Sequence, residues 1–197
     1  MQIPTHSITG LILAGGRSRR MGGRDKGLMP LPNGRLMVEA VSQALRPQVG
    51  PLLISANRNR SAYLPWGDEV LRDLRPEHPG PLAGIEAGLM AARTPWVLVA
   101  PCDAPALPSD LGQRLAAGIG DAPAAVLHDG KSLQPLFALL QPAHALPITR
   151  RLLDEDRPRV MDWARALEAT VVDAADIAPA LANLNDPEAL EKFHGRD

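Results

Sequence analysis

An apolar, β-prone run, Ser7–Ala14 (SITGLILA), ends directly in Gly15-Gly16, and few folds accommodate that junction. A run with so little polar alternation belongs to a strand buried on both faces. Two glycines straight after it let the backbone turn sharply and approach a ligand closely, because no Cβ stands in the way. Further apolar runs follow at Leu52–Ala56, Val70–Leu71 (short) and Trp96–Cys102. Leu36–Leu45 reads as a helix, and Leu82–Ala92 has helical spacing with Pro81 near its start. Strands alternating with crossover-length connections predict an α/β layered fold with a largely parallel sheet, whose ligands bind beyond the strand carboxyl ends. Downstream, Ala124–Leu127 and Leu133–Leu140 read as strands around the Asp129-Gly130 turn, and Pro147–Asp154 and Val160–Leu167 as helices.

The 197 residues suit one domain, taken as 1–197, and 45% apolar residues are enough to build its core. A net charge of −1 argues against general nucleic-acid or anionic-membrane binding, which calls for a basic excess. The cations are nevertheless concentrated: Arg17, Arg19, Arg20, Arg24 and Lys26 face one acid, Asp25, over ten residues. That patch matches a small polyanion. The opening residues carry no secretory pattern and no run is long enough to span a membrane, so a cytoplasmic location is expected. Cys102 is the sole cysteine, which excludes an internal disulfide and a Cys-rich zinc site, and the five histidines form no metal-binding spacing.

The segment Leu13-Ala14-Gly15-Gly16-Arg17-Ser18-Arg19-Arg20-Met21-Gly22-Gly23-Arg24-Asp25-Lys26-Gly27 offers exposed N–H groups and cations suited to a triphosphate. It is not a Walker A loop, since Asp25-Lys26-Gly27 lacks the Ser/Thr after Lys, nor a Gly-x-Gly-x-x-Gly fingerprint. Lys26 provides a compact point charge and Arg20 a planar fork for two oxygens. Asp103, where the Trp96–Cys102 strand ends, is either a hard oxygen ligand in the crevice or the cap of a following helix. Asn57 and Asp73 follow the second and third strands, hence the same sheet edge; each is a nucleotide contact or a turn former.

The stretch Leu13–Lys26, which reads Leu-Ala-Gly-Gly-x-Ser-x-Arg-Met-Gly-x-x-Asp-Lys, resembles the signature of the molybdenum cofactor guanylyltransferases. Four further segments resemble that family in the same order: Ser55-Ala56-Asn57-Arg58 with Arg72-Asp73, Pro79-Gly80-Pro81-Leu82-Ala83-Gly84, Pro101-Cys102-Asp103-Ala104-Pro105 and Asn183-Leu184-Asn185-Asp186-Pro187-Glu188. The resemblance implies a Rossmann-like three-layer nucleotidyltransferase fold with a mostly parallel, mixed central sheet. It implies attack by the terminal phosphate of molybdopterin, molybdenum-loaded or not, on the α-phosphorus of GTP, with Mg²⁺ as cofactor.

Under that resemblance Leu13, Ala14, Gly15, Gly16, Lys26, Asn57, Asp73 and Asp103 contact GTP. Asp103 holds the metal, and Lys26, Arg20 and Asp103 are the catalytic set. Asn183, Asn185, Arg157 and Arg159 are assigned to molybdopterin, because the first half of the chain already accounts for the nucleotide; the other reading makes Asn183 and Asn185 turn residues before a helix that starts at Asp186-Pro187-Glu188. Expected partners are GTP, molybdopterin and, transiently, client molybdoenzymes or chaperones, with the chain itself a monomer. Three alternatives share parts of this pattern: a cytidylyltransferase acting on the same pterin, a sugar-1-phosphate nucleotidyltransferase, and a carrier module without catalysis. Gly15-Gly16 after Leu13-Ala14 resembles the guanine class.

Overall fold

The computed structural model describes residues 3–14, 25–75, 80–155 and 159–184. Its strands are β1 (Ile8–Leu13), β2 (Leu52–Ser55), β3 (Glu69–Leu71), β4 (Trp96–Pro101), β5 (Ala124–His128), β6 (Leu133–Leu140) and β7 (Thr170–Asp173). They form one sheet in the order β3-β2-β1-β4-β6-β5-β7. β1 pairs parallel with β2 and β4, β2 with β3, and β5 with β7. β6 runs against both of its neighbours, β4 and β5. The expected mostly parallel, mixed sheet is therefore present.

Central strands β1 and β4 are buried along their whole length, as their unbroken apolar runs require. Alternate side chains leave on opposite faces. Ile8 and Ile12 of β1 and Leu98 and Ala100 of β4 pack with Val38, Val41 and Leu45 of helix α1 (Met37–Leu45). Leu111 and Leu115 of α4 (Leu111–Gly118) join the same face. Leu11, Leu13, Val97 and Val99 meet α3 (Pro81–Ala91), α5 (Pro142–Leu153) and α6 (Val160–Ala166) through Leu82, Ile85, Leu89, Leu152 and Trp163. The result is helices, sheet, helices. With aromatics at 3% of the chain, buried Leu, Ile and Val dominate this core, each contributing about 1.5–3 kcal/mol. A Cβ on Gly84 would sit 2.6 Å from Ser55 Oγ, so α3 lies close over β2 only because that position is glycine.

The single-turn helix α2 (Arg60–Tyr63) links β2 to β3. Besides α2, which the sequence reading leaves unassigned, two elements differ from sequence expectation. α5 starts at Pro142 and carries Pro147 inside it, whereas Pro147 itself reads as a helix start. Both prolines suit a first turn, and the earlier one takes that place. β7 goes unread in the sequence because Thr170–Asp173 alternates half-buried with exposed positions at the sheet margin and has no apolar run.

From β1 the chain moves outward through β2 and β3, then crosses back over β1 to β4. That reversal opens a crevice beyond the carboxyl ends of β1, β2 and β4. Residues 14, 57, 73 and 103 all leave the sheet at this edge.

Candidate functional site

Lys26 and Asp103 meet in that crevice. Backbone pairing continues past the strand ends, Cys102 N donating to Leu13 O at 3.1 Å and Ala14 N to Ser55 O at 2.8 Å. The segments after β1 and β4 are thereby held side by side. Lys26 Nζ donates to Asp103 Oδ2 at 2.6 Å, with the side chains 13% and 17% exposed. The other carboxylate oxygen, Asp103 Oδ1, is buried and has no hydrogen-bond partner among the described residues. An anionic oxygen left in that condition is costly unless a cation or donor reaches it, and a hard oxygen of this kind fits Mg²⁺. Among the described residues no three His, Cys, Asp or Glu side chains cluster around it. An ion here would complete its shell with phosphate and water oxygens, as Mg²⁺ commonly does.

The competing role for Asp103 as a helix cap is excluded, since α4 begins at Leu111 with Asp110 at its N-cap. Cys102 is buried, and burial followed by the adjacent Asp103 charge pushes its thiol pKa up, so it stays a protonated core residue. Leu13 and Ala14 also direct their side chains into the core. Any contact they make with a ligand is through the main chain.

Asp25, one residue before Lys26, points the other way. Its Oδ1 accepts from Tyr63 Oη and its Oδ2 from Asn59 Nδ2 at 3.1 Å. Burial, then this bond to Asp25, raises the Tyr63 pKa above the ordinary phenol range, so the hydroxyl remains a donor. Leu28 N to Asp25 O and Met29 N to Lys26 O, at 3.2 and 3.1 Å, wind residues 26–28 into a 3-10 turn. Nothing in the sequence pattern marks Tyr63 or Asn59 for this position. The one available signal is that Tyr63 is the chain's sole tyrosine.

Asn57 and Asp73 form a reciprocal clasp. Asn57 Nδ2 donates to Asp73 Oδ2 at 2.8 Å, and Asp73 N donates to Asn57 Oδ1 at 3.0 Å. Ser55 Oγ adds a third bond to Asp73 Oδ1 at 3.3 Å. Both residues are half-buried at the expected edge, so they are a joined pair rather than two separate turn formers. Two residues on, Arg75 bonds buried Glu86 of α3 through Nε and Nη2 at 2.9 and 3.2 Å and Asp154 after α5 at 2.6 Å. Arg150 of α5 also reaches Glu86, at 3.3 Å. This network, which sequence reasoning missed, ties the segment carrying Asp73 to the second half of the chain.

The residues assigned to molybdopterin are placed less completely. Leu184 N donates to Asp103 O at 2.8 Å, and Leu184 packs with Leu31 and Met37, which brings exposed Asn183 to the neighbourhood of Asp103. Arg159 is exposed at the N-cap of α6, whose direction toward β7 puts that end at the same sheet edge. Gly15, Gly16, Arg20, Arg157 and Asn185 lie outside the described residues.

Residues 10–171 match the model of the MobA-like NTP transferase domain. The chain is 45% identical over 181 residues to a molybdenum cofactor guanylyltransferase of Yersinia pseudotuberculosis serotype O:1b, covering 92% of each chain. A molybdenum cofactor guanylyltransferase of Yersinia pestis strain Pestoides F is 44% identical over the same length, again covering 92% of each. The fold is similar to that of molybdopterin-guanine dinucleotide biosynthesis protein A from Archaeoglobus fulgidus, with a TM-score of 0.71 at 20% identity over 93% of this chain and 95% of that one. With relatives this close along nearly its whole length, the chain belongs to the molybdenum cofactor guanylyltransferases, nucleotidyltransferases of the MobA-like family.

Proposed function

We propose that the chain transfers GMP from GTP to the terminal phosphate of molybdopterin, loaded with molybdenum or not, yielding the guanine dinucleotide form of the cofactor and pyrophosphate. The observation that carries this reading is the Lys26–Asp103 pair beyond the carboxyl ends of β1 and β4, with one Asp103 oxygen left without a partner among the described residues. A phosphate oxygen of molybdopterin forms the new bond to the α-phosphorus of GTP while the bond to the β-phosphate bridging oxygen breaks and pyrophosphate leaves. The attacking phosphate is already ionised near neutral pH, so the reaction needs no general base. What it needs is positioning and neutralisation of charge.

In this reading Lys26, with Arg20 from the same loop, binds the triphosphate. Main-chain groups from Leu13 to Gly16 approach it closely, and the Asn57–Asp73 clasp presents a carboxylate to guanine or ribose donors. Asp103 is the residue that would hold Mg²⁺, which when bound neutralises charge developing on the α-phosphoryl group and pyrophosphate. Asn183, Asn185, Arg157 and Arg159 serve the acceptor. One chain carries both sets, so a monomer suffices. Transient delivery to client molybdoenzymes is compatible with an exposed acceptor side. Among the described residues no helix is long and apolar enough to cross a membrane, and the lone, protonated thiol of Cys102 suits the cytoplasm.

The test is incubation with Mg²⁺, molybdopterin and either GTP or CTP, quantifying pyrophosphate and dinucleotide. Product with GTP is expected, with preference over CTP of roughly tenfold or more from lost base contacts. Product with CTP alone would reassign the base, and no product with either would leave a carrier.

A further inference from the structure

We propose that Tyr63, assisted by Asn59, is a positioning residue for Lys26: together they hold the carboxylate of Asp25 away from the triphosphate crevice and fix the turn that aims the lysine into it. The proposal rests on the reading of Lys26 as a phosphate ligand and deepens it.

A carboxylate beside a triphosphate site is harmful by default, because it repels the substrate and competes for the cations that bind it. Asp25 is the acid within the Arg17–Lys26 cluster and lies next to the lysine itself. Both of its oxygens are nevertheless occupied from the α2 side: Tyr63 Oη on Oδ1, and Asn59 Nδ2 on Oδ2 at 3.1 Å. The two donors sit at opposite ends of one helical turn, Asn59 at its N-cap and Tyr63 at its last residue. Asn59 takes a left-handed backbone (φ 47), a conformation Asn tolerates better than most residues.

The same tyrosine fixes the residue on the other side of Lys26. A Cβ on Gly27 would lie 2.6 Å from Tyr63 Oη and 3.0 Å from Cε1, so the phenol edge rests against the Gly27 backbone. Lys26 is thus flanked by a side chain and a backbone position that one fully buried aromatic residue holds. Its own long side chain has many rotamers and does not orient itself. A purely core role would need only the ring, which packs in the apolar cluster with Val38, Val41 and Val70. The hydroxyl is spent on Asp25.

The experiment compares Tyr63→Phe and Asn59→Gly, each made in the otherwise natural chain and in Lys26→Ala, with kcat/KM for GTP, GTP affinity by calorimetry and melting temperature measured for all. Phe keeps the ring, and Gly keeps the left-handed backbone at an exposed position. Loss of a hydrogen bond to a charged group corresponds to about a tenfold fall in kcat/KM for GTP, with KM for molybdopterin unchanged. In the Lys26→Ala background the same substitutions should change GTP affinity less than about twofold, since sites acting through one another are not additive. Equal effects in both backgrounds, or none in either, overturn the proposal while leaving the role of Lys26 intact. Unchanged GTP binding by Lys26→Ala alone would overturn the phosphate assignment and this proposal with it. Should Tyr63→Phe fail to fold, Asn59→Gly decides on the same criteria.

Discussion

Replacing Asp103 by Asn separates a metal-holding carboxylate from a merely structural one. The substitution keeps side-chain size and leaves the Asp103 carbonyl that accepts from Leu184 N. What it removes is a charge 2.6 Å from Lys26 Nζ, an attraction of about 6 kcal/mol at an effective dielectric of 20. Against that stands the burial of an anionic oxygen, Oδ1, without a partner among the described residues, an unfavourable contribution of several kcal/mol per ion. The two largely offset, so stability of the ligand-free protein should change by about 1–3 kcal/mol at most, visible as a modest shift in melting temperature. Turnover has no such compensation. Loss of one preorganised electrostatic element in phosphoryl or acyl transfer commonly lowers kcat by about 10²–10³-fold. Dinucleotide formation should fall by that factor and require much more Mg²⁺. Metal-free GTP binding should be unchanged or tighter, because a repulsive carboxylate has gone. Measured turnover near that of the natural chain, with unaltered Mg²⁺ dependence, would refute the reasoning.

Gly84→Ala places a methyl group 2.6 Å from Ser55 Oγ, which bonds Asp73; a loss of about 1–3 kcal/mol with a raised KM for GTP is expected, and an unchanged melting temperature would contradict it. Asp129, held by the Ser132 and Lys131 backbone N–H groups, has its pKa lowered to about 2. The contribution it makes to the hairpin is therefore complete above the unfolded carboxylate value of about 3.9 and lost as pH falls through about 2. NMR titration of the Lys131 and Ser132 amides should show that low midpoint, and a midpoint near 4 would deny the bonds. Glu86→Gln removes the carboxylate that binds Arg75 and Arg150, while Arg75 keeps Asp154. A cost of about 2–3 kcal/mol is expected, below the roughly 3–5 for a wholly buried pair, read as a lower urea midpoint at constant m.

The Lys26–Asp103 crevice was legible because its residues sit where local signals are strongest. Unbroken apolar runs mark β1 and β4, and Lys26 in the Gly-rich segment after β1 and Asp103 just after β4 can be named before any contact is known. What stayed hidden depends on contacts across distance. Tyr63 to Asp25, Arg75 to Glu86 and Leu184 to Asp103 join positions that no period or motif relates. Side-chain pairing of that kind follows from tertiary packing, and single-sequence patterns carry no trace of it. The same holds for β7, a margin strand whose alternation is too short and too exposed to register. Asn57 and Asp73 stand between these cases: their edge was readable, their mutual bonding was not.

The direction of one strand determines whether the second half of the chain can serve this site at all. Asp129-Gly130, with Gly130 at φ 86, turns β5 back into antiparallel β6. β6 therefore ends at the edge far from the crevice, where Gln141 N bonds Pro123 O at 2.8 Å beside the start of β5. From there α5, of 12 residues, climbs back about 18 Å, and Asp154 arrives beside Arg75, just beyond the carboxyl end of β3. Arg159 opens α6 at that same edge. Had β6 run parallel to its neighbours, α5 would have started at the crevice and delivered its last turn, and Arg159 after it, to the opposite side of the sheet. β7 then ascends parallel to β5, and Ala174 N bonds His128 O at 2.8 Å. The 3-10 segment Ala175–Leu181 next carries Leu184 to the backbone of Asp103. A tight Asp-Gly hairpin thus decides which edge of the sheet Arg159 and Asn183 reach, and it selects the one that already holds Lys26 and Asp103.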